Sequence, residues 1–337
     1  MEKKKRIDWI DVAKGIAMIC VILVHVEEHF MKPGLLATTK IPIYTFHMPL
    51  FFFMSGYLFS LKGNFKEFLI NKSKRILVPY VCLGVLLCLF TSVWQKWDLG
   101  WTLPEILFQK RVWTLWFIAC LFWLNMLFYV IVRFIKNEKI RAITVVLIAT
   151  AGIIYYKLGG GAHYWNVDVC LTALPFFYGG FLCKKTDFVN QKILASKFKW
   201  GFFLAFVAID VLCTVVNYRI TGEYLEFFGC MYGIAPLTYI GSFAGVFALI
   251  ILADACRGFL PFRYMGENSM IFYAWHQTML LPLIEFLFKK LHWFQSWLPS
   301  KGEYYGRLLL ATLLVCIVSA LLNEIICRLK LGFMVGK

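Results

Sequence analysis

Charged side chains are scarce in this sequence. Lysine, arginine, aspartate and glutamate together make up 16% of its 337 residues, whereas soluble globular proteins carry about 25%. Hydrophobic residues make up 61%, above the roughly 45–50% of soluble domains. No connection between the hydrophobic runs is long enough for a separate soluble domain. These proportions exclude an ordinary soluble enzyme and predict a protein that lies in a lipid bilayer.

Acidic residues are the rarer of the charged types. The sequence has 19 Asp and Glu against 35 Lys and Arg, which gives a formal net charge of +16. A basic balance of this size can indicate a polyanionic partner, but here the basic residues are spread over many short connections. We therefore interpret the charge as typical of the cytoplasmic loops of a membrane protein and expect no nucleic-acid partner.

Metal-binding patterns are also missing. The eleven cysteines form no C-x-x-C pair, and no Cys/His cluster has the spacing of a zinc site. Most cysteines fall inside the hydrophobic runs, where they are typical small packing residues. We therefore expect no metal site and no permanently bound cofactor.

What the sequence has instead is a series of long apolar runs. Runs of about 18 or more apolar residues predict helices that cross a bilayer. The fold class is therefore predicted to be all-α, a polytopic bundle of about ten transmembrane helices that forms a single domain over residues 1–337. The candidate spans cover residues 8–29, 41–61, 76–95, 113–132, 142–156, 166–183, 200–219, 227–253, 266–288 and 307–327.

The distribution of basic residues predicts the orientation. Most of the 35 Lys and Arg residues fall in alternate connections, on the same side as the N-terminus. Because positively charged loops stay on the cytoplasmic side, we expect both termini and the 62–75 and 184–199 connections to be cytoplasmic. The 97–112 connection is then external.

The first span contains the most informative set of ionisable residues: Asp11, Lys14 and His25. Such residues cost several kcal/mol inside a membrane helix, which makes them functional candidates. Lys14 and His25 are about three helical turns apart, so they share one face with an axial rise of about 16 Å. Asp11 can pair with Lys14 three positions later. The alternative is that Lys14 extends to the interface and His25 is a packed histidine.

Other spans contain further polar candidates. His47, Ser55 and Tyr57 interrupt the aromatic second span, and His276 lies about ten residues into the ninth. A histidine there suggests proton transfer or hydrogen bonding to a substrate. Asp210, in the middle of the seventh span, is either a proton carrier of a transporter or the partner of a neighbouring helix.

The blocks that contain most of these residues resemble the integral-membrane acyltransferase-3 family, which includes fucose O-acetylases and O-antigen acetyltransferases. Lys14 and His25 match its most diagnostic element, a basic residue, ten intervening residues and a histidine. Lys72 to Arg75 is similar to its Arg-x-x-Arg element, with lysine in the first position, which keeps the charge but not the guanidinium fork. In the family's order, the blocks are RIDWIDVAKGIAMICVILVH (6–25), FHMPLFFFMSGYLF (46–59), NKSKRILVPY (71–80), LWFI (115–118) and GENSMIFYAWHQ (266–277).

The resemblance implies a multi-pass O-acyltransferase of the inner (cytoplasmic) membrane. It would move an acyl group, usually acetyl, from acyl-CoA (acetyl-CoA) as co-substrate to a hydroxyl of a cell-envelope carbohydrate. His25 would be the general base, and Lys14 with Asp11 would stabilise negative charge. Lys72 and Arg75 would bind the CoA phosphates, although positive charge in a cytoplasmic loop explains them equally. The candidate substrate-binding residues are His47, Ser55, Tyr57 and His276.

The main alternative is a secondary transporter or glycan exporter, suggested by Asp210 and His276. Against it, the sequence shows no paired broken helices in matching halves, the usual indication of a transporter site. A scaffold whose polar residues only pack helices is a third possibility. The sequence leaves open the acceptor, the acyl chain length, passage of the acyl group across the membrane and the oligomeric state.

Overall fold

The computed structural model describes residues 6–30, 37–61, 63–109, 114–290 and 301–336. Among these residues there is no β-strand, only one isolated bridge between Glu226 and Met231. The all-α prediction is therefore confirmed. The helices are α1 (Asp8–Phe30), α2 (Ala37–Tyr44), α3 (His47–Tyr57), α4 (Phe65–Lys72), α5 (Val78–Trp94), α6 (Leu99–Phe108), α7 (Trp116–Phe134), α8 (Glu138–Lys157), α9 (Val167–Lys185), α10 (Lys199–Thr221), α11 (Ala235–Ala255), α12 (Leu260–Glu267), α13 (Ser269–Trp275), α14 (Leu281–Lys290) and α15 (Lys301–Arg328).

Within the described residues, nine helical segments are long and apolar enough to cross a membrane. The ninth predicted span consists of α13 and α14 joined by a π-helical turn, His276–Leu280. The short fifth candidate is a full helix, α8, of 20 residues. The second predicted span is not among these nine segments, so the tenth crossing stays a prediction.

The second predicted span, 41–61, is not one continuous helix. It consists of α2 and α3, with a break at Thr45 and Phe46. Pro49 explains the break, because a proline inside a helix removes one hydrogen bond and its ring clashes with the carbonyl four residues earlier, here Thr45. In the first turn of α3 the missing N–H of Pro49 has no cost. The break lets the Thr45 hydroxyl donate hydrogen bonds to the Pro42 carbonyl at 2.7 Å and to Asp210 Oδ2 at 3.2 Å.

The eighth predicted span, 227–253, begins too early. The helix α11 starts only at Ala235, and residues 222–234 form a loop. Asn217 Oδ1 holds this loop by accepting from the backbone N–H of Ile234 at 2.7 Å. Glu223 Oε2 accepts from the backbone N–H of Gly233, also at 2.7 Å. The loop is rich in aromatic residues, so its hydropathy alone does not distinguish it from a helix.

Two glycines let α1 and α12 pack backbone to backbone. A Cβ at Gly15 would lie 1.9 Å from the Phe262 carbonyl oxygen, and one at Gly266 would lie 1.6 Å from that of Asp11. Only glycine fits at such a distance. The ninth predicted span, 266–288, therefore starts too early as well, because Gly266 belongs to the short helix α12 and the crossing helix begins at Ser269.

The two chain ends lie at the same end of the bundle. Arg6 is 3.3 Å from Glu267 at the base of α12. The C-terminal turn Gly332–Val335 packs against α5 and against the π-helical turn Ser73–Leu77. This agrees with an even number of crossings. That this end faces the cytoplasm remains a prediction from the charge distribution, and part of that charge, Lys3 to Lys5 and Lys62, lies outside the described residues.

Candidate active site

Three cavities lie in series along α1. The outer cavity (about 470 Å³), the middle cavity (about 200 Å³) and the inner cavity (about 520 Å³) are named by the predicted orientation. The outer and middle cavities share Tyr273 as a wall, and the middle and inner cavities share Lys14 and Leu58. One helix thus contributes to a chain of cavities that runs through the bundle.

His25 lines the outer cavity, with 19% of its side chain exposed. Its Nδ1 lies 2.9 Å from Oε2 of Glu28, one helical turn later. A carboxylate only accepts hydrogen bonds, so Nδ1 carries the proton and Nε2 is left with its lone pair. This arrangement leaves Nε2 as the nitrogen that can take a proton.

Glu28 is in turn held from a second helix. Its Oε1 lies 2.6 Å from Lys40 Nζ and accepts from the Tyr44 hydroxyl at 3.2 Å. The Lys40 ammonium lies over the rings of Tyr44 and Tyr224, at 4.9 and 5.4 Å from their centroids. Burial raises the pKa of Tyr224 above its ordinary value, so its hydroxyl stays protonated and donates to Glu226 at 3.3 Å.

His276 lies behind His25 and not on the cavity surface. Their ring centroids are 5.1 Å apart, and His276 is fully buried. Its Nδ1 donates to the carbonyls of Phe272 and Tyr273, at 2.9 and 2.8 Å, while its Nε2 is buried without a hydrogen-bond partner. It begins a π-helical turn, a feature frequent at functional sites. His276 therefore contacts the His25 ring, and its role in substrate binding stays a prediction.

The other predicted substrate-binding residues are distributed over all three cavities. His47 lines the outer cavity and donates from Nδ1 to the Ile43 carbonyl at 2.8 Å. Ser55 lines the middle cavity, and its hydroxyl donates to the Phe51 carbonyl at 2.8 Å. Tyr57 lines the inner cavity. The structure does not bring these residues to one site.

Lys14 forms the predicted ion pair with Asp11. Its Nζ lies 2.7 Å from Asp11 Oδ1, and the other oxygen of Asp11 is 3.7 Å from Arg6. Lys14 borders the middle and inner cavities. Lys14 and His25 thus both face the series of cavities, as the helical spacing predicts, but they line different ones.

The inner cavity has a different set of cations from the one predicted. Arg6 and Lys184 line it together with Lys14, whereas Lys72 and Arg75 are not among its lining residues. Lys72 lies over the Phe59 and Phe68 rings, at 5.8 and 5.5 Å from their centroids. Arg75 is exposed at the same end of the bundle. No sequence pattern distinguishes Lys184 from the other basic residues of its connection.

The middle cavity is narrow and mostly apolar. Its wall towards the outer cavity is Tyr273, whose hydroxyl donates to the Thr114 carbonyl. The Phe117 ring contacts Tyr273, with centroids 5.5 Å apart, and also Phe51 at 6.0 Å. These rings separate the two larger cavities. The other apolar residues that line the middle cavity are Met18, Met54, Leu58, Ile76, Ile118, Leu121 and Met270.

Asp210 lines none of these three cavities. It is buried on α10, where it accepts from Thr45 at the break between α2 and α3. The α11 glycines Gly241 and Gly245 pack against it. Asp210 therefore links α10 to the break between α2 and α3 and to α11. In this position it no longer supports the transporter alternative.

The outer cavity contains polar residues that the sequence analysis missed. Glu28 had a detectable signal, since it follows His25 by three positions as Lys14 follows Asp11. Glu226 and Gln277 also line this cavity. Glu226 belongs to the 222–234 loop and lies just before the predicted eighth span, where no sequence pattern marked it as part of a site. Within the described ranges, no group of three or more His, Cys, Asp or Glu side chains could hold a metal ion.

Comparison with known proteins gives one result for nearly the whole chain. The model of the acyltransferase-3 family, described as an acyltransferase domain, matches residues 7–324. No curated protein matches the chain significantly. The matched region includes every residue that lines the middle cavity and all but Arg6 of those that line the other two.

Proposed function

The chain belongs to the acyltransferase-3 family and is a multi-pass membrane acyltransferase, and we propose that it transfers an acetyl group from cytoplasmic acetyl-CoA to a hydroxyl of a cell-envelope carbohydrate. The proposed location is the inner membrane, with the acceptor on the outer side. The observation that carries this proposal is the arrangement along α1. A histidine oriented by a carboxylate lines one cavity, and a paired lysine lies at the border of the next two.

His25 is the proposed general base. Its Nε2 takes the proton of the acceptor hydroxyl while the hydroxyl oxygen attacks the thioester carbonyl carbon. The new C–O bond forms and the C–S bond breaks, and the imidazolium returns the proton to the departing CoA thiolate. Glu28 keeps Nδ1 protonated and stabilises the imidazolium that forms. The products are the acetyl ester and free CoA.

Lys14 is proposed to act on the donor side. The axial rise of about 16 Å between it and His25 is too long for both to contact one carbonyl group. Reacting atoms have to approach within about 3–3.5 Å, so the thioester has to reach the outer cavity. The boundary formed by Tyr273 and Phe117 is where the pantetheine arm would pass, with Lys14 beside the arm.

The middle cavity favours a short acyl group, because the acyl group has to pass it on the way to the outer cavity. With about 200 Å³ and mostly apolar walls it is the smallest of the three and the narrowest part of that route. We therefore propose acetyl as the transferred group.

The inner cavity is the proposed site of the CoA phosphates. Arg6 and Lys184 line it, and Lys72 and Arg75 lie at the same end of the bundle. Cations bind phosphate through charge-assisted hydrogen bonds. Asp11 and Glu267 also line this cavity and offset part of the positive charge, which favours binding at its rim.

The outer cavity has the composition of a carbohydrate site. Trp97, Trp116 and Tyr44 provide flat apolar surfaces, and Glu226 and Gln277 provide groups for hydroxyl hydrogen bonds. A largely apolar pocket with a few polar groups is the usual form of a small-molecule site.

Two measurements test the proposal together. Purified protein should release CoA from radiolabelled acetyl-CoA only when an envelope fraction is present, and mass spectrometry should find acetyl esters on that fraction's glycans. A His25→Gln protein is the negative control. Absence of acetyl esters in an envelope fraction from the native host, despite correct membrane insertion, would contradict the acetyl donor or the carbohydrate acceptor.

A further inference from the structure

Lys40 contacts the carboxylate that orients His25 and comes from a different helix. Its Nζ lies 2.6 Å from Oε1 of Glu28, while Oε2 of the same carboxylate accepts the proton of His25 Nδ1 at 2.9 Å. The carboxylate therefore lies between a cation and the imidazole ring. A change in the position or charge of Lys40 acts on His25 through Glu28.

The surroundings of Lys40 keep it in this position. Its ammonium is held over the rings of Tyr44 and Tyr224, at 4.9 and 5.4 Å from their centroids, by cation–π contacts. Only 17% of the Lys40 side chain is exposed. Glu28 belongs to α1, Lys40 and Tyr44 belong to α2, and Tyr224 belongs to the 222–234 loop. These three segments therefore meet around the Lys40 ammonium.

The charge of Lys40 matters because His25 has to be neutral to act as a base. A carboxylate beside an imidazole favours the protonated ring, which cannot take a proton. A lysine on the same carboxylate offsets that effect and leaves the hydrogen bond to Nδ1 in place. Lys40 thus offsets the charge of Glu28 while the hydrogen bond that orients the His25 ring stays in place.

Other ionisable groups face the same cluster and do not replace Lys40. Glu226, the other carboxylate that lines the outer cavity, is close enough to interact with Lys40 and adds negative charge. The remaining groups facing the cluster from the described elements are His29 on α1, Tyr44 on α2, His47 on α3, Tyr224 in the loop, Tyr273 on α13 and His276 at the start of the π-helical turn.

We propose that Lys40 is a positioning residue which, through Glu28, keeps His25 in the neutral and oriented form and so sets the lower pH limit of acyl transfer. The inference rests on the proposed role of His25 as general base. It adds a residue outside the sequence elements that resemble the family.

The test is the pH–rate profile of the full-length protein in native membranes. Transfer of radiolabelled acetyl from acetyl-CoA to the host's envelope fraction is followed from about pH 5 to about pH 9. Lys40→Met should move the acidic limb to higher pH by about one to two units, with activity recovering on the alkaline side. Lys40→Arg retains the cation and should keep the wild-type limb.

Two further variants isolate the route through Glu28. The double variant Glu28→Gln with Lys40→Met should have the same acidic limb of the pH–rate profile as the single variant Glu28→Gln. Without the Glu28 carboxylate, Lys40 has no negative charge to offset. Lys199→Met is the matched control, since Lys199 makes an ion pair with Asp254 at 3.3 Å away from the three cavities. It should keep the wild-type profile.

The outcomes separate the two proposals. A Lys40→Met protein with the wild-type limb overturns the inference about Lys40, and so does one that is inactive at every pH, which would indicate a purely structural lysine. Both conclusions require that His25→Gln is inactive. If His25→Gln transfers acetyl normally, the general-base assignment fails first and the Lys40 inference fails with it.

Discussion

The two ends of the bundle use charge in opposite ways. At the outer end the ionisable groups that line the cavity are carboxylates and histidines, and Lys40 is paired with Glu28. At the inner end Arg6, Lys14 and Lys184 line the cavity and outnumber the two carboxylates there. An end that moves a proton needs a neutral base, whereas an end that holds phosphates needs cations. The difference is consistent with the proposal that the acceptor binds at the outer end and the donor at the inner end.

The largest expected effect follows from removing the base at the outer end. His25→Gln and His25→Ala should each lower acetyl transfer by about 10²–10⁴, because neither side chain takes a proton near neutral pH. Acetyl-CoA binding should be unchanged, since the proposed donor site is at the other end. Transfer rates and equilibrium binding of radiolabelled acetyl-CoA measure the two effects.

The control for this comparison is His163→Gln. His163 is 2.7 Å from the Tyr155 hydroxyl at the outer end and lines none of the three cavities, so its variant should be active. If the His25→Gln protein also transfers acetyl at a near-normal rate, His25 is a packing residue and the comparison between the ends loses its basis.

Lys14 provides the next largest effect, because it lies where the middle and inner cavities meet. Lys14→Met should lower transfer about 10- to 100-fold, in keeping with the loss of one charge-assisted contact. Lys14→Arg should retain most activity, because it keeps the charge. The measurement is the transfer rate at saturating acetyl-CoA, with the exposed Lys139→Met as the control. Full activity of Lys14→Met would mean that this lysine only extends to the interface.

The phosphate site gives a smaller effect that discriminates between two sets of cations. Replacing Arg6 and Lys184 by alanine should raise the acetyl-CoA concentration for half-maximal rate about tenfold per residue. Lys72→Ala with Arg75→Ala should act in the same direction if the phosphates sit at the rim. Lys136→Ala is the control for general loss of positive charge. If neither double variant changes the acetyl-CoA concentration for half-maximal rate, the donor does not bind at the inner end.

Asp210 should give the smallest effect. Asp210→Asn keeps an acceptor for Thr45, so acetyl transfer should be normal and the free energy of unfolding should change by about 1 kcal/mol. The melting temperature in detergent and the transfer rate check this. A large loss of transfer without a loss of stability would show that Asp210 belongs to the mechanism.

The local features of the first helix were predictable from the sequence. The Asp11–Lys14 ion pair joins residues three positions apart, and helix geometry alone brings such residues together. The common face of Lys14 and His25 follows from the same periodicity. The general location of nine of the ten spans also followed, because the apolar content of a window reports its ability to cross a bilayer.

Features that depend on contacts between distant segments were not predictable. The Glu28–Lys40 ion pair joins α1 to α2, and no spacing rule indicates it. Hydropathy extended the predicted eighth helix over residues 227–234 of the loop, and no spacing rule placed Glu226, just before that span, at the outer cavity. Lys72 and Arg75 share the charge of Arg6 and Lys184, but composition does not show which basic residues line a cavity.

The amino-acid sequence therefore specified the class of fold, the general location of nine spans and the residues of α1 that face the interior, because these depend on neighbours within a few turns of one helix. Tertiary packing specified which side chains from other segments those residues contact. The 222–234 loop closes part of the outer cavity, Tyr273 separates that cavity from the middle one, and Lys14 and Leu58 lie between the middle and inner cavities. These arrangements arise from contacts across many tens of residues, and a one-dimensional pattern does not encode such distances.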